Sequence, residues 1–377
     1  MKEDFAVRQS SKRDVGIELA RLMACLIVIG VHVCLGYQEQ GYMDGSRLLI
    51  ACFLADGVAV FWMITGAFLF RDGNYVSQMK KMVSKILCPM IGFSIIIYLF
   101  GGWLWRGENL VQSVYHTRQE IRTIIITLLE WKNPVQGIDH LWYLYVHILL
   151  IVCFPIMYAF VQHLGEDKIK IRTFLWVSAA FFVLNDLSRN ALGGFSHHSI
   201  NAVVPASIEM IWGWYLYKYR DDFKKHFSFW IPGLLFVIMN LLRMFLIIKA
   251  DALHINLICL LYWYSFIGLF CGLCIVWACL LFAGRYLKTE NSWLILNLSS
   301  CSFLIYLVHL PIYEYLQARG WIQLIQNVVF ANVPGVAGEV VYTIGMTVGI
   351  FLISYLGVKL YEIGKRCLIG LYNTTKA

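Results

Sequence analysis

Charge is what this chain of 377 residues has least of. Only 14% of its residues are Asp, Glu, Lys or Arg, against 59% hydrophobic ones, and its mean hydropathy is +0.66. A water-soluble domain carries roughly 25% charged residues, so the shortage excludes the two soluble domains that the length alone would suit. Period-2 alternation of polar and apolar residues is also missing; runs such as 22–35 and 253–282 are continuously apolar apart from isolated polar residues. Backbone groups in lipid must be bonded within the protein, which leaves helices or a closed barrel. The continuous runs select helices, so the expected fold class is all-α and polytopic. No P-loop or GxGxxG turn is present to cradle a nucleotide. No His/Cys spacing matches a catalytic metal, so no metal and no tightly bound cofactor are expected. The basic N-terminus precedes an apolar stretch as in a signal peptide, but that stretch holds Arg21 and His32 and no small-x-small cleavage site follows. It reads as a retained helix. Low-complexity tracts, sequence repeats and an appended soluble domain are likewise not seen.

The 11 cysteines mostly lie inside apolar runs (Cys25, Cys34, Cys52, Cys153, Cys271, Cys274), where they read as small buried thiols rather than a disulfide framework. Cys271-x-x-Cys274 has neither a second pair nor a nearby His to complete a metal or redox site.

What is there in abundance is spans of membrane length. Apolar runs between polar breaks predict about ten helices, near 15–37, 47–70, 82–104, 141–162, 173–188, 200–217, 228–249, 253–282, 295–317 and 338–364. The net charge of +8 then has a membrane meaning rather than a nucleic-acid one. One side of the alternating loops carries Lys2, Arg8, Lys12, Arg13, Arg71, Lys80, Lys81, Lys85, Lys168, Lys170, Arg172, Lys218, Arg220, Lys224, Lys225, Arg285, Lys288, Lys365, Arg366 and Lys376. The other side has only Arg47, Arg106, Arg118, Arg122, Lys132, Arg189, Lys249 and Arg319. Positive charge marks the cytoplasmic side, so both termini are expected there, with 1–14 and 365–377 as tails. The whole of 1–377 is read as a single integral-membrane domain. Its 105–140 connection, which contains IRTIIITLLEW, is expected outside the membrane core as an outer interfacial segment. Two small-xxx-small pairs, Gly268/Gly272 and Gly345/Gly349, are expected at helix contacts.

An ionisable group at mid-span costs about 2.5–3.5 kcal/mol on insertion scales, so those present ask for a function. In the first span Arg21 and His32 are eleven residues apart, three turns and roughly 16 Å, on one helix face. Glu18 lies one turn before Arg21 and can pair with it. His140 and His147 share a face of the fourth span, and Tyr306 and His309 lie midway along the ninth. Asp56, Glu209 and Arg243 are intramembrane as well. Imidazoles gather toward the outer half, while Arg21, Lys80, Lys81 and Lys85 gather toward the inner half. Imidazole suits removal of a hydroxyl proton, and Lys or Arg at a helix entrance suits a phosphorylated ligand. The plainer reading makes Glu18–Arg21 a structural pair and the lysines ordinary orientation charge.

At these residues the sequence resembles the acyltransferase-3 family, in particular its surface-polysaccharide O-acyltransferase branch. Arg21 and His32 meet that family's Arg-x10-His pattern. Gly57, Phe61 and Gly66 fit its second-helix pattern, with Trp62 and Thr65 as substitutions. His140, Trp142 and Leu144 match its His-x-Trp-x-Leu, and Ser302, Phe303, Tyr306, Leu307 and His309 its late Ser-Tyr-x-x-Tyr-Leu-x-His. The resemblance implies a multi-pass protein of the bacterial cell membrane. It implies acetyl-CoA or another acyl-CoA as cytoplasmic donor and a saccharide or lipid-linked glycan hydroxyl as outer acceptor. His32 would be general base and Arg21 would stabilise the donor. His140, Tyr306 and His309 are acceptor or oxyanion candidates, Glu18 and Asp56 orienting candidates, and Lys81 and Lys85 donor-binding candidates. Lysines stand where the family usually has arginines, and lysine lacks the bidentate fork. The family's fused esterase-like domain is not seen. The alternative is a secondary transporter of a small polar solute such as an amino acid, since intramembrane Arg, Glu and His serve carriers too. Against it, no Gly/Pro-broken helices are expected at corresponding places in the two halves.

Overall fold

The computed structural model describes residues 13–35, 45–71, 73–107, 109, 111–112, 121–129, 135, 138–192, 200–228, 230–252, 257–287 and 292–374. Lys2, Arg8, Lys12, Arg118, Lys132, Lys288 and Lys376, part of the charge pattern above, lie outside the described residues. Among those described, all regular structure is helical.

The first span is α1 (Val15–Leu35). Its start is capped by Asp14, whose Oδ1 accepts from the backbone N–H groups of Gly16 and Ile17. The second span divides into α2 (Gly45–Phe53) and α3 (Gly57–Leu69), with Asp56 in the turn between them. The third is a long rod. In it α4 (Tyr75–Met82), capped by the Asn74 side chain, passes through a π-helical turn at Val83–Leu87 into α5 (Cys88–Arg106). The 105–140 connection holds α6 (Ile121–Leu129).

The fourth span is broken. The segment Asp139–Val152, containing α7 (Trp142–Val152), meets α8 (Phe154–Gly165) at 69°. Pro155 stands in the first turn of α8, where a missing N–H costs no hydrogen bond within that helix but prevents its continuation from α7. Then follow α9 (Lys168–Leu192), α10 (Val203–Lys218), α11 (Arg220–His226), α12 (Trp230–Ala252) and α13 (Phe266–Tyr286). A second broken span joins α14 (Trp293–Ser300) to α15 (Ser302–Ala318) at 59°. After α16 (Trp321–Asn332), α17 (Gly335–Thr374) closes the described chain.

Several expectations change here. Among the described residues seven segments are long and apolar enough to cross a bilayer, or nine with each bent pair counted as one, rather than ten. The span that fails on length is α10: 16 residues reach about 24 Å, short of the roughly 20 residues a crossing takes. The stretch 319–337, read as a break, contains α16 between two glycines with positive φ, Gly320 at 74° and Gly335 at 68°. The segment 365–374 is helical, a continuation of α17. Cys153, read as buried, is exposed at the bend. Two spans are bent, the first at a Cys153–Phe154–Pro155 break and the second at Cys301, where neither Gly nor Pro stands.

The centre of the bundle is α1 with α13, each 61% buried over its most apolar window, whereas the rod of α4 and α5 is only 11% buried and faces lipid. The backbones of α3 and α10 approach closely. A Cβ added at Gly66 would strike the Met210 backbone, and one at Gly213 the Met63 backbone. Small residues allow such contact where lipid gives helices no hydrophobic reason to associate. Of the two predicted glycine pairs, Gly272 packs on Ala59 and Met63, but Gly268 abuts the chain just before its own helix. A Cβ at Gly345 or Gly349 would meet nothing within 4 Å, because that face of α17 looks away from the bundle.

Side-chain contacts identify the ends of the bundle. At one end, Arg13 donates to the Leu296 carbonyl at 3.1 Å and the Tyr217 hydroxyl to Asp14 at 3.0 Å. There too Arg71 lies 4.3 Å over the Tyr217 ring, and Lys218 donates to Gly165. At the other end Arg47 pairs with Glu339 at 3.3 Å, and Asp186 accepts from the Phe266 N–H at 2.8 Å.

Candidate functional site

Three imidazoles that lie far apart in the sequence converge. The ring centroids of His32, His140 and His309 are 6.4 Å (32 to 140), 5.4 Å (32 to 309) and 4.9 Å (140 to 309) apart. Three different elements deliver them: α1 near its last turn, the short 3-10 turn before α7, and the middle of α15. His140 and His309 are buried at 4% and 1% exposure, while His32 is half-buried. Tyr306, one turn before His309, donates its hydroxyl to the His140 carbonyl and so ties α15 to the head of α7.

The hydrogen bonds assign one tautomer. His309 Nδ1 lies 2.7 Å from the Tyr306 carbonyl oxygen. A carbonyl only accepts, so Nδ1 carries the proton, and the neutral ring presents a bare Nε2. That Nε2 and both ring nitrogens of His140 are buried without a hydrogen-bond partner among the described residues. Unpaired buried polar atoms are rare in folded proteins; three in adjoining rings mark a place built to meet a polar group.

Three turns away along α1, Arg21 lines a cavity of about 460 Å³ with Lys81, Lys85, Gln78, Thr65 and His147. Its apolar wall comes from α3 and the rod, including Phe61, Phe68 and Ile86. The π turn widens the rod between Lys81 and Lys85, and both residues line the cavity; Lys80 does not. Such turns recur at functional sites. Glu18, buried at 4%, accepts from Arg21 Nη1 at 2.8 Å and 3.0 Å, leaving the guanidinium 27% exposed. The cavity and the imidazoles are joined twice. Arg21 and His32 are eleven residues apart on α1, and His147 and His140 seven residues apart along α7 and the turn before it, about 16 Å and 10 Å at helical rise.

Asp56 is not brought to the histidines. It forms a bidentate pair with Arg243, at 2.7 Å and 3.1 Å, both side chains fully buried. Arg243 also donates to the Cys52 carbonyl and to Asn240, so this network ties α12 to the α2–α3 turn. Sequence reasoning placed His147 on the face of His140 but gave it no role; its seven-residue spacing was the available signal. Glu209, on α10, is fully buried and neither carboxyl oxygen has a hydrogen-bond partner among the described residues. Among the described residues no three His, Cys, Asp or Glu side chains are grouped so that they could hold a metal ion.

Residues 14–358 match the profile of a family described as an acyltransferase domain. No curated protein and no solved structure matches the chain.

Proposed function

The chain belongs to the acyltransferase-3 family of membrane acyltransferases, and from that premise we propose that it moves an acyl group from cytoplasmic acyl-CoA, acetyl-CoA first among them, to a hydroxyl of an extracytoplasmic or lipid-linked saccharide. One observation carries this reading: α1 joins a cation-lined cavity, at Arg21, to the cluster of three imidazoles, at His32. A donor whose phosphates lie against Arg21, Lys81 and Lys85 needs an extended arm of about 16 Å to bring its thioester to His32. An acyl-CoA has both parts. In the reaction the acceptor oxygen attacks the thioester carbonyl carbon; a C–O bond forms and the C–S bond breaks. The hydroxyl proton passes to an imidazole, His32 in this reading, and leaves with the departing thiol. The bare Nε2 of His309 and the ring of His140 are placed to receive the acceptor hydroxyl or orient it. Glu18 holds Arg21, whereas Asp56 serves the fold through Arg243.

The sidedness follows from charge. The loops richest in Lys and Arg meet at the end of the bundle that holds Asp14 and Tyr217, which we assign to the cytoplasm. With α10 counted as a crossing despite its length, both termini lie there, and 105–140 lies outside as part of one integral-membrane unit.

A specific observation favours a second reading, transport of a small polar solute. The two broken spans carry His140 and His309, and carriers build their sites on broken helices. One experiment separates the two. Purified protein given labelled acetyl-CoA should pass label to a glycan acceptor, and His32→Ala should reduce transfer at least a hundredfold while leaving the protein monodisperse. Solute uptake into proteoliposomes without acyl-CoA, alongside no transfer, would replace the enzymatic reading.

A further inference from the structure

A second pocket, of about 180 Å³, lies at the Asp14 end of the bundle and shares no residue with the cavity of Arg21. Lys168 and Arg172 stand on one side of it, at the start of α9. Tyr215, Tyr219 and Phe223 stand on the other, and Asp222 and His226 complete the rim. The aromatic side is prearranged: the Tyr215 and Tyr219 rings are 4.8 Å apart, and Phe223 rests on Trp277 at 5.7 Å. Cations lean over this side. Lys168 Nζ is 6.0 Å and Lys218 Nζ 5.7 Å from the centre of the Tyr219 ring. Both Lys168 and Arg172 are exposed and form no ion pair with an acid among the described residues. Positive charge exceeds the single carboxylate, Asp222, so the pocket suits an anion.

The flanks identify what carries that anion. Below Arg172, α9 exposes Trp176 at 76%, Leu184 at 63% and Leu187 at 76%; three residues beyond Phe227, which also lines the pocket, α12 begins and exposes Trp230 at 71% and Leu234 at 63%. These surfaces need hydrocarbon. The pocket therefore sits where two apolar belts end and a cluster of cations begins. A soluble phosphate compound would satisfy the cations and leave the belts bare, whereas a lipid satisfies both. We propose that this pocket binds the phosphate headgroup of an anionic membrane lipid, whose chains descend along α9 and α12. Basic pockets between membrane helices on the cytoplasmic side are suited to such headgroups. Tyr215 and Tyr219 are placed to donate hydroxyls to phosphate oxygens.

Native mass spectrometry of the full chain tests this, with phosphatidylglycerol against phosphatidylcholine as probes. Phosphatidylglycerol should be retained in preference, and Lys168→Gln with Arg172→Gln should weaken its retention by roughly tenfold to thirtyfold, at about 1 kcal/mol per charge. Lys365→Gln with Arg366→Gln removes the same charge from the exposed end of α17 and should leave retention unchanged. Equal loss in both double variants, equal retention of the two lipids, or displacement of the lipid by inorganic phosphate or by acyl-CoA would overturn the proposal. A photoactivatable phosphatidylglycerol on the unaltered protein guards against a misfolded variant. Adducts within 168–172 or 215–227 support the site, and adducts confined to other segments refute it. The outcome is independent of acyl transfer, so it stands or falls apart from the proposed reaction.

Discussion

At the scale of single residues, two kinds of buried polar group must be distinguished. Asp56 and Arg243 satisfy one another in a forked pair with no exposure. Removing one partner of such a pair leaves a bare charge and costs about 3–5 kcal/mol, whereas replacing both by apolar residues is often neutral. Arg243→Met or Asp56→Leu alone is therefore expected to lower the melting temperature sharply, and the double variant to recover most of the loss; thermal unfolding in detergent checks both. His140 and His309 are the other kind, since Nε2 of His309 and both ring nitrogens of His140 are buried without a partner among the described residues. His309→Ala is expected to lower transfer at least a hundredfold, in the range of general acid–base contributions. The KM for acyl-CoA should stay unchanged, because in the proposed reaction Nε2 meets the acceptor rather than the donor. An equal rise in KM and fall in kcat would instead place His309 in the donor site. The sequence made both kinds equally visible as intramembrane charge or imidazole. Only partner geometry tells them apart, which is why Asp56 entered the candidate list and His147, on the cavity wall, did not.

Elements add constraints that no residue type announces. The contact of α3 with α10 rests on Gly66 and Gly213, where any side chain would enter the neighbouring backbone. Gly66→Val should abolish the monodisperse species in size-exclusion chromatography. Gly345→Val, on an open face of α17, should express and elute as the parent does. Spacing alone pointed the other way, because Gly345/Gly349 has the small-xxx-small pattern and Gly66 and Gly213 lie on different helices. The same packing shelters α10, which at 16 residues is shorter than a membrane crossing takes and lies against α3. The rod is the opposite case. Its π turn places Lys81 and Lys85 on the cavity, and its low burial follows from packing against the bundle along one narrow face.

For the whole molecule, sidedness is the property on which the reaction depends, since donor and acceptor are proposed to arrive from opposite faces. Cys367 is exposed near the end of α17 and reports on it directly. A membrane-impermeant maleimide is expected to label Cys367 only after the membrane is opened. Labelling on intact cells would reverse the assignment and with it the roles of the two sites. The central position of α1 suits the proposed two-sided reaction, because one helix holds Arg21 and His32 at a set separation while the exposed rod borders the cavity of Arg21.

Composition and the lengths of apolar runs were enough to establish a helical membrane protein and the spacing of Arg21 and His32 along its first span, because lipid penalises every unpaired polar group and a helix fixes spacing along its own axis. Tertiary structure alone decided that His32, His140 and His309 meet, that Asp56 belongs to Arg243, that two spans bend, and that a cation-lined pocket forms beside Arg172. Those facts depend on how helices pack across one another, and the periodicity within a helix carries no record of its neighbours.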